Sequence, residues 1–119
     1  MSHWGYHLII NASGCSDAIK DKKVISKFTK QLVKDIDMVA YGKPQIIHFG
    51  TGNKAGYTLV QLIETSNICA HFVEETMDMY LDVFSCKDFD RTVVERLVKE
   101  YFGATRLESN FLLRQAGNE

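Results

Sequence analysis

Two segments with helical periodicity, separated by a long series of strand-like runs, constrain the fold of this chain more than any other feature. In residues 21–38 and again in residues 88–103, apolar side chains recur at three- and four-residue steps with polar residues between them. In the second segment Asp90 is placed to cap the start of a helix and Gly103 to end it. Each segment therefore predicts a helix with one buried face.

Strand-like runs, rich in β-branched and aromatic residues, occupy most of the remaining chain. They are "HWGYHLIINA", "QIIHFG", "YTLVQLIET", "NICAHFVEE", "DMYLDVFSC" and "ATRLESNFLLRQ". Between the second and third runs, "GTGNKAG" lacks the Gly-Lys-Ser/Thr ending of a phosphate loop, so we interpret it as a hairpin connection. This order of elements predicts an α+β fold, a two-layer sandwich of a mainly antiparallel sheet with two helices on one face.

Size and charge narrow the choice of partners. The chain has 119 residues, which suits one domain spanning residues 1–119. Helices on one face leave the other sheet face to solvent or to a partner subunit, so we expect a homodimer or a higher homo-oligomer.

Fourteen Lys and Arg residues against fifteen Asp and Glu residues provide no basic stripe for nucleic acid. No apolar run reaches the roughly 20 residues of a membrane helix, and the first residues lack a leader pattern, so we expect a cytoplasmic protein.

The cysteines and histidines predict neither disulfides nor a metal site. The cysteines are odd in number and far apart, as expected for free thiols in a reducing compartment; they are Cys15, Cys69 and Cys86. The histidines show no metal-ligand spacing; they are His3, His7, His48 and His71. We therefore expect no bound metal.

One run, "LIETSNICAHFVEE", carries more chemistry than a packing strand needs. The Ser66 hydroxyl is adjacent to the Thr65 carbonyl, and a strained backbone at that point would allow it to attack its own chain. A base such as His71 could then remove the Ser66 α-proton, split the chain and leave a group that hydrolyses to pyruvoyl. From the residues alone, ordinary hydrogen-bonded packing of Ser66 and His71 remains the alternative.

The runs "ETSNICAHFVEE" and "MYLDVFSCKDFD" resemble the small prokaryotic S-adenosylmethionine decarboxylases. The motif of that family is Glu-Ser-His, three residues, His-Thr-Trp-Pro-Glu, then Asp-Val-Phe-Thr-Cys, and the spacing agrees throughout. Ser66 matches the pyruvoyl-forming serine, His71 the processing histidine and Cys86 the catalytic proton donor. Thr58 lies where the family has a serine that assists processing, and "GYHLIINASGC" is similar to the family's opening Gly-x-His strand.

The resemblance implies an enzyme that makes its own cofactor. Cleavage between Thr65 and Ser66 would give a β chain of residues 1–65 and an α chain of residues 66–119 that begins with pyruvoyl. That ketone would form a Schiff base with the amine of S-adenosylmethionine and accept the electrons left by departing CO₂. Cys86 would protonate the product, which is the aminopropyl donor for spermidine and polyamine synthesis. Neither a metal nor pyridoxal phosphate is implied.

The same resemblance assigns substrate contacts and marks departures. Glu75 matches the family's ribose-binding glutamate, and Phe49 falls near an aromatic that packs against adenine. Thr65 replaces a glutamate, Asn67 a histidine, and Val73–Glu74 the family's Trp-Pro. Acidic residues near the site would also suit ornithine or arginine as substrate. An unprocessed homologue with a binding or regulatory role is a further alternative.

Strand parity adds two structural expectations. Ser66 and His71 are five residues apart and would point to opposite faces of a regular strand, so we expect a bulge or break near Ser66. On a strand through "MYLDVFSC", Cys86 would share a face with Tyr80, Asp82 and Phe84.

Overall fold

The computed structural model describes residues 3–117, which form a six-stranded antiparallel sheet and two α-helices. The strands are β1 (Gly5–Ser13), β2 (Gln45–Phe49), β3 (Gly56–Ile63), β4 (Ser66–Val73), β5 (Asp78–Ser85) and β6 (Arg106–Arg114). The helices are α1 (Lys22–Asp35) and α2 (Arg91–Phe102), with 3-10 turns at Asp17–Lys20 and Gly52–Lys54. In the sheet the strands lie in the order β2-β3-β4-β5-β1-β6.

The helices begin and end where local chemistry places them. The Asp21 carboxylate accepts from the Lys23 amide at 2.9 Å, and that of Asp90 accepts from the Thr92 amide at 2.9 Å. Gly103 ends α2 with a left-handed φ of 61°. The caps predicted for α2 are confirmed, whereas α1 ends at Asp35, three residues before the predicted Met38, because Asp37 turns the chain with a φ of 59°.

One face of the sheet carries both helices, which confirms the predicted two-layer α+β sandwich. Alternate residues of the strands are fully buried there, among them Leu8, Ile10, Leu59, Ile68 and Leu81. They pack with apolar side chains of the two helices in one core. Phe102 of α2 lies at the centre, with its ring 4.9 Å from that of Phe28 in α1 and 5.3 Å from that of Phe72 in β4.

The opposite face of the sheet, which we call the open face, carries no helix among the described residues. Polar side chains on it alternate with large apolar ones that are about half exposed, including Ile47, Phe49, Leu62 and Tyr80. Two hairpins form its centre, β3–β4 and β4–β5. The Gly-rich stretch connects β2 and β3, which confirms the predicted hairpin connection. In residues 3–117 no helix is both long and apolar enough to cross a membrane.

Candidate active site

Ser66 stands at a sharp reversal of the chain. β3 ends at Ile63 and β4 begins at Ser66, with only Glu64 and Thr65 between them. Neither turn residue is a glycine, and Ser66 adopts a φ of 157°, a region that residues with a side chain rarely enter. Backbone in such a region stores energy and persists only where the surrounding structure enforces it. The strain expected near Ser66 is therefore present at this residue.

The expected bulge within the following run is absent. β4 pairs without interruption with both neighbours, from Ser66 opposite Ile63 and Ser85 to His71 opposite Thr58 and Tyr80. The irregularity is confined to Ser66, the first residue of the strand, and Thr65 lies outside it. Five steps along a regular strand separate the Cα atoms of Ser66 and His71 by roughly 17 Å.

The peptide bond before Ser66 is held by a backbone donor. The Cys86 amide donates to the Thr65 carbonyl at 3.0 Å. Cys86 directly follows Ser85, the last residue of β5. Cys86 itself is exposed, with its thiol free. The prediction that Cys86 lies on the strand is wrong by one residue because β5 ends at Ser85, although Asp82 and Phe84 do lie on the open face. Thr65, Ser66 and Cys86 thus form one group, which we call the nucleophile end.

A second group lies at the other end of β4, which we call the base end. Thr58 of β3 is directly opposite His71, and the Thr58 Oγ1 lies 2.8 Å from the His71 Nδ1. The Phe49 ring lies 6.5 Å from the His71 imidazole. His71 and Thr58 line a shallow depression of about 190 Å³ on the open face, with Tyr80 and Asp82. The structure therefore brings Thr58, His71 and Phe49 together, but not with Ser66.

Glu75 lies outside both groups. It is exposed in the turn between β4 and β5. Its neighbour Glu74 is paired instead, with its Oε2 2.8 Å from the His48 Nε2, and its amide donates to the Ala55 carbonyl at 3.1 Å. These contacts tie the β4–β5 turn to the end of β2 and to the loop that follows it, beside Phe49.

Comparison with known proteins places this geometry in a family. Residues 6–115 match the family described as S-adenosylmethionine decarboxylase. The chain belongs to the S-adenosylmethionine decarboxylase family. S-adenosylmethionine decarboxylase proenzymes from the Langeland and Okra strains of Clostridium botulinum are each 28% identical to it over 116 residues, covering 96% of this chain and 97% of theirs. An adenosylmethionine decarboxylase crystal structure from Aquifex aeolicus VF5 has the same fold, with a TM-score of 0.83 at 20% identity over 100% of this chain and 97% of that one.

This member of the decarboxylase family carries a charged network on the open face that the sequence interpretation missed. The His7 Nε2 lies 3.1 Å from the Asp82 Oδ1, and the His7 Nδ1 lies 2.9 Å from an Arg114 guanidinium nitrogen. The same guanidinium lies 5.1 Å above the Phe84 ring centroid. The available signal was period-two alternation, which places these side chains on one face, but their pairing depends on a register that joins β1 to both β5 and β6.

Two thiols in this decarboxylase family member have raised pKa values. Burial, assisted by the nearby Asp82 carboxylate, raises the pKa of Cys69, which lies in the depression beside His71. Burial and the Asp78 carboxylate raise the pKa of Cys15 to about 11. Within residues 3–117 no three His, Cys, Asp or Glu side chains are grouped closely enough to hold a metal ion.

Proposed function

We propose that this chain is a self-cleaving precursor that forms a pyruvoyl group from Ser66 and then decarboxylates S-adenosylmethionine. Membership of the family supplies the reaction, S-adenosylmethionine decarboxylation, whose product is an aminopropyl donor for polyamine synthesis. The observation that carries the self-cleavage is the strained Ser66 backbone directly after a carbonyl that already accepts a hydrogen bond from Cys86. Both features favour attack at the bond between Thr65 and Ser66.

Cleavage would proceed in three balanced steps. The Ser66 Oγ attacks the Thr65 carbonyl carbon, the peptide C–N bond breaks, and the Ser66 nitrogen takes up the hydroxyl proton, which leaves an ester. The hydrogen bond from the Cys86 amide stabilises the negative charge on the carbonyl oxygen during this step. A base then removes the Ser66 α-proton, and Thr65 leaves as a carboxylate. Water converts the resulting dehydroalanine into pyruvoyl and releases ammonia.

The residues around Ser66 fit a pyruvoyl group. A new N-terminus at position 66 would remain anchored by the pairing of β4 with β3 and β5, and the exposed Cys86 thiol lies on the adjacent loop. When present, the ketone supplies an electron sink for the loss of CO₂ from an amine substrate. We assign proton donation to Cys86, because its amide contacts the Thr65 carbonyl and so places its exposed thiol beside the cleavage point.

Substrate contacts are proposed for the base end of the sheet. The Phe49 ring is 54% exposed beside His71, so it offers a free aromatic face on which adenine can stack. Glu75 is exposed in the adjacent turn, and its carboxylate can accept hydrogen bonds from ribose hydroxyls. Glu74, by contrast, is occupied by His48, which leaves Glu75 as the freer acid of the pair.

The separation of the two groups leads us to propose that a second copy completes each site. In one chain, roughly 17 Å of unbroken β4 lies between Ser66 and His71. A twofold axis that lies between facing open faces and runs perpendicular to β4 reverses the second strand, so that the base end of one copy would lie over the nucleophile end of the other. The half-exposed Leu62 and Tyr80 would then be buried between the sheets. His71 and Thr58 would act on the Ser66 of the opposite copy.

Three free cysteines support a location in the reducing cytoplasm, which we include in the proposal.

Intact-mass measurement of the purified protein tests self-cleavage most directly. We expect fragments 1–65 and 66–119 whose summed mass equals that of the precursor plus one water minus one ammonia. Simple hydrolysis would instead add one water and leave an N-terminal Ser66. Ser66→Ala should remain as one uncut chain. An uncut wild type, or fragments that keep Ser66, would overturn the proposed cofactor.

Release of labelled CO₂ tests the substrate. We expect release from carboxyl-labelled S-adenosylmethionine by the cleaved wild type, and none by Ser66→Ala. Labelled ornithine and arginine serve as comparisons, because the acidic residues of the β4–β5 turn would attract them too. Release from either amino acid but not from S-adenosylmethionine would overturn the substrate assignment and leave the pyruvoyl proposal intact.

A further inference from the structure

Ser85 is a polar residue on a face where the other residues of β5 are apolar. It ends β5 on the helix-covered face, where Met79, Leu81 and Val83 precede it, and it is 0% exposed. A hydroxyl at such a position costs free energy unless its hydrogen bonds are made. Its hydrogen-bond partners must therefore offset the cost of its burial.

Those partners form a continuous chain of donors and acceptors. The Lys87 amide donates to the Ser85 Oγ at 2.9 Å, and the Ser85 Oγ donates to the Thr65 Oγ1 at 2.9 Å. The Thr65 hydroxyl in turn donates to the Met38 Sδ at 3.3 Å. Because each hydroxyl has a single proton, this one direction of donation satisfies every member.

This series of hydrogen bonds holds both partners of the contact at the cleavage point, the Thr65 carbonyl and the segment that carries the Cys86 amide. Thr65 provides the carbonyl that would be attacked, and Lys87 directly follows Cys86, whose amide donates to that carbonyl. Ser85 links Thr65 to Lys87 through its single oxygen. The Lys87 ammonium is anchored as well, at 2.6 Å from the Asp37 carbonyl oxygen and 3.0 Å from its carboxylate.

We propose that Ser85 is a positioning residue for self-cleavage, whose buried hydroxyl keeps the Cys86 amide on the Thr65 carbonyl. The inference rests on the proposed function and adds to it a residue behind the site that touches none of the reacting atoms. Without the hydroxyl, the Lys87 amide and the Thr65 side chain lose their shared partner, and the loop carrying Cys86 is released from the turn carrying Thr65. Displacement of an electrostatic donor by a fraction of its hydrogen-bond length weakens its stabilisation of developing charge.

Cleavage time courses in cell-free translation test this role. Ser85→Ala should lengthen the half-time of cleavage roughly tenfold or more, whereas Ser85→Thr, which keeps a hydroxyl, should cleave at nearly the wild-type rate. Thr29→Val is the matched control, because Thr29 is also 0% exposed and its hydroxyl donates to the Ile25 carbonyl within α1, away from the site. We expect it to lower the melting temperature as Ser85→Ala does while leaving the cleavage rate unchanged.

A double-mutant cycle with Thr65→Val sharpens the assignment. Since Ser85 is expected to act through Thr65, the two substitutions together should slow cleavage little more than either alone. In the uncut Ser66→Ala precursor, hydrogen exchange of the Cys86 amide should be slow, and adding Ser85→Ala should make it at least roughly tenfold faster.

The inference is overturned, without touching the proposed function, by a Ser85→Ala precursor that cleaves as fast as the wild type or by a Cys86 amide whose exchange is unaffected by Ser85→Ala. A slowing shared equally by Thr29→Val also overturns it, because general loss of stability would then explain the effect. A wild-type precursor that never cleaves overturns the proposed function itself.

Discussion

The two ends of strand β4 differ in kind. At the nucleophile end the backbone is strained, the Thr65 carbonyl already accepts a hydrogen bond from Cys86, and a buried hydroxyl supports the contact. At the base end the backbone is a regular ladder, and the chemistry resides in side chains, with Thr58 and His71 in hydrogen-bond contact on the open face. In the proposed function, one end holds the bond to be attacked, and the other holds the proposed base, His71, roughly 17 Å from that bond along β4.

The backbone strain at Ser66 and the proposed proton transfer by His71 therefore lie in separate parts of one small fold. The strain accompanies a tight turn, since Ser66 takes its φ of 157° directly after a two-residue reversal that contains no glycine. A histidine with a fixed ring orientation instead requires a neighbour that contacts its ring, and the regular pairing of β3 and β4 supplies Thr58 for this. Under the proposed function, a second copy would bring the two requirements together.

The largest expected effect is that two variants, each uncut on its own, recover cleavage when they are expressed together. His71→Ala alone should remain uncut, because no base removes the Ser66 α-proton. Coexpressed with Ser66→Ala, which still carries His71, about half of the His71→Ala chains should be cut if the two chains mix freely as dimers. Mass spectrometry of differently tagged chains measures the fraction.

Coexpression of His71→Ala with a chain that carries both substitutions is the control for this rescue. It should yield no cleavage, since the second chain then supplies no base. If the His71→Ala chain also stays uncut beside Ser66→Ala, the base and the nucleophile belong to the same copy and the comparison between the two ends loses its meaning.

A charge on the open face should produce the next largest effect. Leu62 is 49% exposed there, and Leu62→Glu would place a carboxylate between the two sheets. We expect a monomer by light scattering and cleavage slowed roughly 100-fold, because dimer formation becomes limiting. Lys30→Glu, on the exposed surface of α1, changes charge without touching the open face and should cleave normally. A monomeric Leu62→Glu chain that cleaves at the wild-type rate would show that each copy holds a complete site.

The sequence predicted the layers of this fold better than the distances in its site. Periodicity located both helices, the predicted caps fixed the ends of α2, and alternation correctly placed Asp82 and Phe84 on the open face. Strain was expected near Ser66 and lies at Ser66 itself, where the preceding turn has only two residues and no glycine, but the bulge expected between Ser66 and His71 is absent. That turn also sets Thr58 opposite His71, but "ET" is not a recognisable hairpin turn, so the register could not be deduced.

Contacts between side chains far apart in the sequence could not be predicted, for a different reason. His7 meets Asp82 and Arg114, which lie 75 and 107 residues away along the chain. Local patterns place each of these side chains on a face but not beside another, since the order of strands in a sheet depends on connections that carry no residue-level signal.

A moderate effect is expected at the base end from Thr58→Val. The substitution keeps the shape of the side chain and removes the hydroxyl that lies 2.8 Å from the His71 Nδ1. The ring then loses the contact that fixes its orientation, and cleavage should slow roughly tenfold, the effect of one hydrogen bond. Thr58→Ser should restore the wild-type rate in the same time course. Equal rates for Val and Ser would mean that the hydroxyl has no part in positioning His71.

The smallest effect on cleavage is expected from Cys86→Ser, which separates the backbone of the nucleophile end from its side chain. The contact with the Thr65 carbonyl is made by the Cys86 amide, so exchanging the thiol for a hydroxyl should leave the cleavage rate within about threefold of the wild type. Decarboxylation by the cleaved protein should nevertheless fall by roughly 100-fold or more, because a serine hydroxyl is a far weaker acid than a thiol. CO₂ release normalised to the cleaved fraction separates the two steps. If cleavage and decarboxylation fell together, the thiol itself would act on the Thr65 carbonyl, and the strained end of β4 would depend on side-chain chemistry as the base end does.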